Sequence, residues 1–223
     1  MRLFALFLVA LFASVSQAQT NYTSAIITSP TRWTKSMSPI TVTSRIDVKS
    51  QLTIDPGVVV KLGPSAQILF WYGSQSQLLV NGTASEPVAI MAATNAPWSG
   101  FIQAGGYTTR PIIRANFALI TGLGARVNNI TPYNLDYRFS DCLIESTATV
   151  PAGLNGAGSA VNLLGYSTTM LGYFERCLIR GQTYGPLINA TTAVIDCDFE
   201  NVVEPVRFSQ TLPTRFNITA APY

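Results

Sequence analysis

The sequence predicts an all-β chain wound as a solenoid of stacked parallel strands, and three observations predict it. Almost nothing in it has a helical period; short β-branched runs alternate with Gly, Pro, Asn and Ser. Four segments fall into one register: ANFALITG (115–122), FSDCLIES (139–146), FERCLIRG (174–181) and VIDCDFEN (194–201). Self-similarity of this kind, at steps of twenty residues and more, marks repeat architectures in which each repeat adds one coil. The charges flanking the shared apolar positions alternate in sign from segment to segment, which a wrong register would hardly produce twice.

The register assigns each column a role. Ala118, Cys142, Cys177 and Cys197 stand at steps of 24, 35 and 20 residues. Three positions earlier come Ala115, Phe139, Phe174 and Val194, and two positions later Ile120, Ile144, Ile179 and Phe199. All three columns are apolar, as inward-facing stacks require, and a two-residue corner before the cysteine reconciles the first with the others. Between them run Asp141, Arg176 and Asp196, and Glu145, Arg180 and Glu200. Parallel neighbours lie about 4.8 Å apart, where opposite charges attract modestly and like charges repel. Leu119, Leu143 and Leu178 form an outward apolar stripe, which implies a partner or a covering segment; the insertion at 147–159 is the candidate cover. A weaker register pairs GSAVNL (158–163), YGPLIN (184–189) and VEPVRF (203–208).

Cys142, Cys177 and Cys197 read most simply as an interior ladder of small apolar thiols. The alternative is one bridge joining Cys177 to Cys142 or to Cys197, because stacked neighbours fall within the Cα window of a disulfide and exported chains normally pair their cysteines. With three cysteines, at least one stays unpaired in the monomer.

Four segments follow along the chain. Residues 1–18 read as a secretory signal peptide: Arg2, an apolar run, and a small-x-small site at Ser16-Gln17-Ala18. Residues 19–38 form an extended N-terminal segment, 39–208 the repeat domain, and 209–223 a C-terminal tail. Both flanking segments are Ser/Thr/Pro-rich, lack an amphipathic helix, and are expected to cap the ends. No later run approaches the roughly 20 apolar residues of a membrane span. Without Arg2 the 14 basic residues become 13, against 11 acidic, and none cluster. That balance argues against nucleic acid as a partner. Asn-x-Thr sequons at Asn21, Asn81, Asn129, Asn189 and Asn217 are expected N-glycosylation sites in a eukaryotic secretory pathway.

The apolar-x-x-Cys-x-apolar corner, together with LTIDPGVVVKLG (52–63), QLLVNGT (77–83), EPVAIMA (86–92) and PWSGFIQA (97–104), resembles the right-handed parallel β-helix proteins of the pectate-lyase-like superfamily over roughly residues 40–208. Pro56-Gly57, Gly73 and Gly82 suit its corners, and Pro87 and Pro205 open strands where proline is tolerated. The resemblance implies a single-stranded right-handed β-helix. It implies no single activity, because this fold hosts lyases, hydrolases, adhesins and structural proteins.

Histidine is absent, which removes Ser-His-Asp and Cys-His catalysis and makes a conventional zinc site improbable. No phosphate loop or dinucleotide fingerprint appears, so no cofactor or metal is expected. For an enzyme, Asp141, Arg176 and Asp196 remain. The two aspartates lie about 9.6 Å apart by rung spacing, near the upper limit for an inverting glycosidase, and Arg176 is similar to the arginine that serves as base in pectate lyases. The acidic cluster that holds calcium in those lyases is missing, and so are the consecutive aspartates and histidine of galacturonan hydrolases. A salt-bridged ladder accounts for the same three residues. In ILFWYG (68–73), Ile68, Phe70 and Tyr72 share the core face, which leaves Trp71 outward as a stacking platform for sugar rings; a covering segment is the alternative, and Trp98 reads as structural. The expectation is a secreted, glycosylated, non-catalytic protein with an adhesive, glycan-contacting or structural role. Its partner would be a polysaccharide or the extracellular matrix. The alternatives are a polysaccharide lyase or glycoside hydrolase, and a self-associating fibril subunit.

Overall fold

The computed structural model describes residues 19–64, 66–71, 76–104, 111–123, 136–146, 162–163, 172–181, 187–188, 192–201, 207–208 and 218–219. They form an all-β structure in which every strand pairing is parallel. The first strands are β1 (Thr20–Ile27), β2 (Thr31–Trp33), β3 (Ile40–Val48), β4 (Gln51–Ile54), β5 (Val59–Leu62), β6 (Gln67–Trp71) and β7 (Gln77–Asn81). There follow β8 (Val88–Ala92), β9 (Gly100–Ala104), β10 (Ile112–Asn116), β11 (Ala118–Leu123), β12 (Asp136–Ser140), β13 (Leu143–Ser146) and β14 (Asn162–Leu163). The last are β15 (Gly172–Glu175), β16 (Leu178–Arg180), β17 (Leu187–Ile188), β18 (Thr192–Ile195), β19 (Asp198–Glu200), β20 (Arg207–Phe208) and β21 (Ile218–Thr219). Among the described residues there is one 3-10 turn, Lys35–Met37, which follows β2.

From β4 to β8, and again from β12 to β18, each strand pairs with the one three places further along the chain, whereas β10 pairs with β12 and β11 with β13. One sheet runs β2-β4-β7-β10-β12-β15-β18-β21; a second runs β19-β16-β13-β11-β8-β5-β3-β6-β9, and a third β14-β17-β20. β3 serves two places: Ile40–Val42 pairs with β5 and Arg45–Val48 with β6. The N-terminal β1 lies beside β3 along its length and exposes Ile26. At the other end, Ile218 and Thr219 of the C-terminal segment pair with Val194 and Ile195.

All three apolar columns fall in register. Ala115, Phe139, Phe174 and Val194 are successive partners and all are buried. Ile120, Ile144, Ile179 and Phe199 are likewise partners, the first three buried and Phe199 half-buried. Phe139 and Phe174 stack with ring centroids 5.4 Å apart and planes 7° from parallel. Trp98 is buried, meets Phe101 edge-on at 5.4 Å, and donates its indole N–H to the Thr121 carbonyl at 2.9 Å. It is a core residue.

The weaker register needs one correction. Leu163 pairs with Ile188, not Asn189, and Ile188 in turn with Phe208. The middle segment is therefore slipped by one residue from the sequence alignment. Because strand periodicity is two, that slip decides which residues share a column, and the observed one keeps Leu163, Ile188 and Phe208 together rather than placing an amide between two hydrophobes.

The corners explain the glycines. Val58 N–H closes the Asp55–Val58 turn on the Asp55 carbonyl at 3.3 Å, with Gly57 at φ +72°, the conformation that follows proline in a type II turn. At Gly82 a Cβ would lie 2.1 Å from the Phe117 carbonyl oxygen, so glycine lets the neighbouring corner close over it. Gly73 lies outside the described residues.

Candidate functional site

The predicted charged column is a corner ladder. Phe117, Asp141, Arg176 and Asp196 each occupy the residue between a strand of the first sheet and the cysteine-column position. All four adopt left-handed backbone, with φ of 46°, 55°, 51° and 49°. The backbone N–H groups of the first three bond across to the next rung: Phe117 to the Ser140 carbonyl at 3.1 Å, Asp141 to Glu175 at 3.0 Å, and Arg176 to Ile195 at 2.9 Å. This conformation suits Asp through its short polar side chain, and costs roughly 1–2 kcal/mol per residue for other non-glycine types. The recurring cross-rung bond offsets it.

At this corner the side chains pair closely. Arg176 binds Asp141 at two points, Nε to Oδ1 and Nη2 to Oδ2, both at 2.7 Å, and its Nη1 reaches Glu175 Oε1 at 2.7 Å. Glu175 Oε2 also accepts from Arg138 Nη2 at 2.6 Å. The chain Arg138–Glu175–Arg176–Asp141 is thus one continuous ion-pair network on the outer surface. The Arg176 hydrogen bonds hold the Asp141 carboxyl below the usual carboxylate range. Glu175 is lowered by Arg138 first and Arg176 second, and Arg176 itself is raised by Asp141 and Glu175. Asp196 occupies the same corner one rung further on and is exposed. The parallel column behaves alike: Arg180 stands 3.4 Å from Glu145 and 3.9 Å from Glu200.

Directly behind this corner lie the thiols. Cys142 and Cys177 are buried and Cys197 is half-buried; all three are free. Each Sγ donates to a backbone carbonyl: Cys142 to Ser140 at 3.2 Å, Cys177 to Phe139 at 3.4 Å, and Cys197 to Ile195 at 3.3 Å. Hydrogen bonding to Cys142, with burial adding to it, pushes the Cys177 thiol up to about 12. Among the described residues no group of three or more His, Cys, Asp or Glu side chains could hold a metal ion.

The aromatic candidate Trp71 lies at the end of β6. Trp71 is half-buried, and the Lys49 ammonium stands 4.5 Å from its ring centroid, so a cation already occupies one ring face. Tyr72 lies outside the described residues. Among the described residues the exposed aromatic of the corner region is Tyr173, which follows Arg114 and Arg138 in one outward column and has the Arg138 guanidinium 5.8 Å from its ring centroid. Sequence reasoning missed Tyr173; extending the register two residues before Glu175 would have found it. It also missed Asp47, a carboxylate buried on β3 and paired to Arg45 Nε at 2.7 Å.

In the leucine stripe, Leu119, Leu143 and Leu178 share one column, Leu119 being exposed and the others half-buried. The insertion 147–159 lies outside the described residues. Asn21 and Asn81 are exposed on β1 and β7, whereas Asn129, Asn189 and Asn217 lie outside the described residues. Among the described residues no helix is long and apolar enough to cross a membrane. No family model matches the chain, and no curated protein or solved structure matches it either.

Proposed function

We propose that the chain is a right-handed parallel β-helix of pectate-lyase-like type, exported and N-glycosylated, that acts without catalysis at a cell surface, wall or matrix by contacting glycans. The single observation that carries the non-catalytic reading is the two-point grip of Arg176 on Asp141. A general acid must hold a proton near working pH and a general base must be free to take one. A carboxylate held in its charged form by a guanidinium fork does neither well. The same network leaves Tyr173 exposed beside Arg138, an aromatic next to donors, which is what a pyranose ring with its hydroxyls needs.

The test uses the purified chain against pectin, alginate and chondroitin sulfate, scored both for turnover and for retention on immobilised polysaccharide. The expected outcome is retention without cleavage, lost at least fivefold in Tyr173→Ala and Arg138→Ala. Cleavage of any of these polymers that disappears in Asp141→Asn or Arg176→Ala would overturn the proposal in favour of a lyase or hydrolase.

A further inference from the structure

We propose that Cys142, Cys177 and Cys197 form a thiol-oxidation site that holds one disulfide in either of two places, Cys142–Cys177 or Cys177–Cys197. Cys177 is common to both. The rung geometry limits the choice to these two. The residues following the cysteines are in-register partners, Leu143 with Leu178 and Leu178 with Asp198, and Leu178 N–H and Asp198 N–H bond to the Cys142 and Cys177 carbonyls at 2.9 Å each. Adjacent cysteines are therefore one rung apart, about 4.8 Å, inside the Cα window of roughly 4.4–6.8 Å that a disulfide needs. Cys142 and Cys197 are two rungs apart, about 9.6 Å, and cannot join. Cys177 and Cys197 already meet: the Cys177 backbone N–H reaches Cys197 Sγ at 3.5 Å, and the Cys177 thiol reaches back to the Phe139 carbonyl at 3.4 Å, on the rung of Cys142.

Access sets the order of events. Cys197 is the half-buried member and the other two are buried, so a low-molecular-weight disulfide such as oxidised glutathione meets Cys197 first. Cys197 attacks one glutathione sulfur as its thiol proton is lost, breaks the external S–S bond, and releases one glutathione that leaves as the thiol. Cys177, losing its own thiol proton, then attacks Cys197 Sγ, forming the Cys177–Cys197 bond and expelling the second glutathione as the thiol. Two protein thiols have lost two electrons, the oxidant has gained them, and the two protons leave on the two glutathione thiols. Attack by the Cys142 thiolate on Cys177 Sγ moves the bond inward and returns Cys197 to a thiol with no net redox change.

The three cysteines fall on three different tryptic peptides, residues 139–176, 177–180 and 181–207, which makes the test direct. The folded chain is incubated with oxidised glutathione, quenched with acid, alkylated under denaturing conditions, digested and mapped by mass spectrometry. Peptide 177–180 is expected linked to 181–207 and, in a second population, to 139–176, with two of the three thiols lost per chain. Cys142→Ser should leave only the first link, and Cys177→Ala should leave none while circular dichroism shows the fold intact. A link between 139–176 and 181–207, a bridge between two chains, or a Cys197–glutathione adduct that never resolves would each overturn the proposal. So would three thiols that stay unmodified.

Discussion

At the scale of single residues, the charges of this chain divide by environment rather than by type. Arg176 and Asp141 meet on the outer surface, whereas Asp47 is buried between Ile26 of β1 and Leu69 of β6, its two in-register neighbours. Removing Arg45 would strand that carboxylate among apolar neighbours. Breaking a buried pair costs about 3–5 kcal/mol, and the low end applies because Arg45 is itself 43% exposed. Urea unfolding of Arg45→Ala should therefore show a clear fall in midpoint, while Arg32→Ala, whose side chain is 70% exposed in its pair with Asp55, should change it by less than about 1 kcal/mol. The outer network predicts a pH effect instead. Asp141 and Glu175 are lowered in the folded chain, so their contribution is present above the ordinary carboxylate values of about 4 and is lost as pH falls through the lower folded values. Arg176→Ala should consequently melt below the parent at pH 7, with the gap narrowing as pH drops below about 4. A gap that is constant with pH would show that Arg176 acts through packing alone.

At the scale of elements, the sequence exposes what repeats and hides what is local. The columns around Cys142, Cys177 and Cys197 were legible because each recurs with the same polarity and because the charges beside them alternate; both ladders form ion pairs. The left-handed corner was half legible. Asp141, Asp196 and Asn201 are residue types that visit that conformation, and Gly122 and Gly181 do so freely, whereas Phe117 and Arg176 adopt it with their N–H bonded to the following rung and, for Arg176, the side chain bonded to Asp141 on the preceding one. The slip of β17 was not legible, since two-residue strands carry too little pattern to fix a register. The pairing of Arg138 with Glu175 crosses between neighbouring columns, so no single column announces it. The second corner gives a matched test. Gly181 has φ +70° and a Cβ there would sit 2.5 Å from the Ser146 carbonyl oxygen, whereas Asn201, the same corner one rung on, has φ 55° with a side chain already present. Gly181→Ala should cost more than about 1 kcal/mol by thermal unfolding. Asn201→Gly should stay within about 1 kcal/mol of the parent, since relief of backbone strain offsets glycine's entropy.

At the scale of the whole molecule, parallel rungs contact mainly the rungs beside them, so stability is a sum of neighbour terms and need not be uniform along the chain. Burial marks the gradient. In the central rungs Leu52, Leu78, Val80 and Ile113 are all at 1% exposure or less. Towards the C-terminal end, Cys197 and Phe199 are only half-buried although they stand in the same columns as buried Cys177 and Ile179, and β19 alternates exposed with half-buried residues. Three amides report on this with hydrogen bonds of nearly the same length. Ala89 N–H bonds to the Val58 carbonyl at 3.0 Å, Leu178 to Cys142 at 2.9 Å, and Asp198 to Cys177 at 2.9 Å. If bond geometry governed exchange, all three would be protected alike. If neighbouring rungs govern it, native-state hydrogen exchange should be slowest at Ala89, intermediate at Leu178 and fastest at Asp198, because opening the last rung exposes the least apolar surface. Phe174→Ala deletes a ring from the buried stack between Phe139 and Val194, and should speed exchange at Leu178 and Asp198 far more than at Ala89. Equal acceleration at all three amides would mean that the rungs open as one unit and that the gradient in burial carries no gradient in stability.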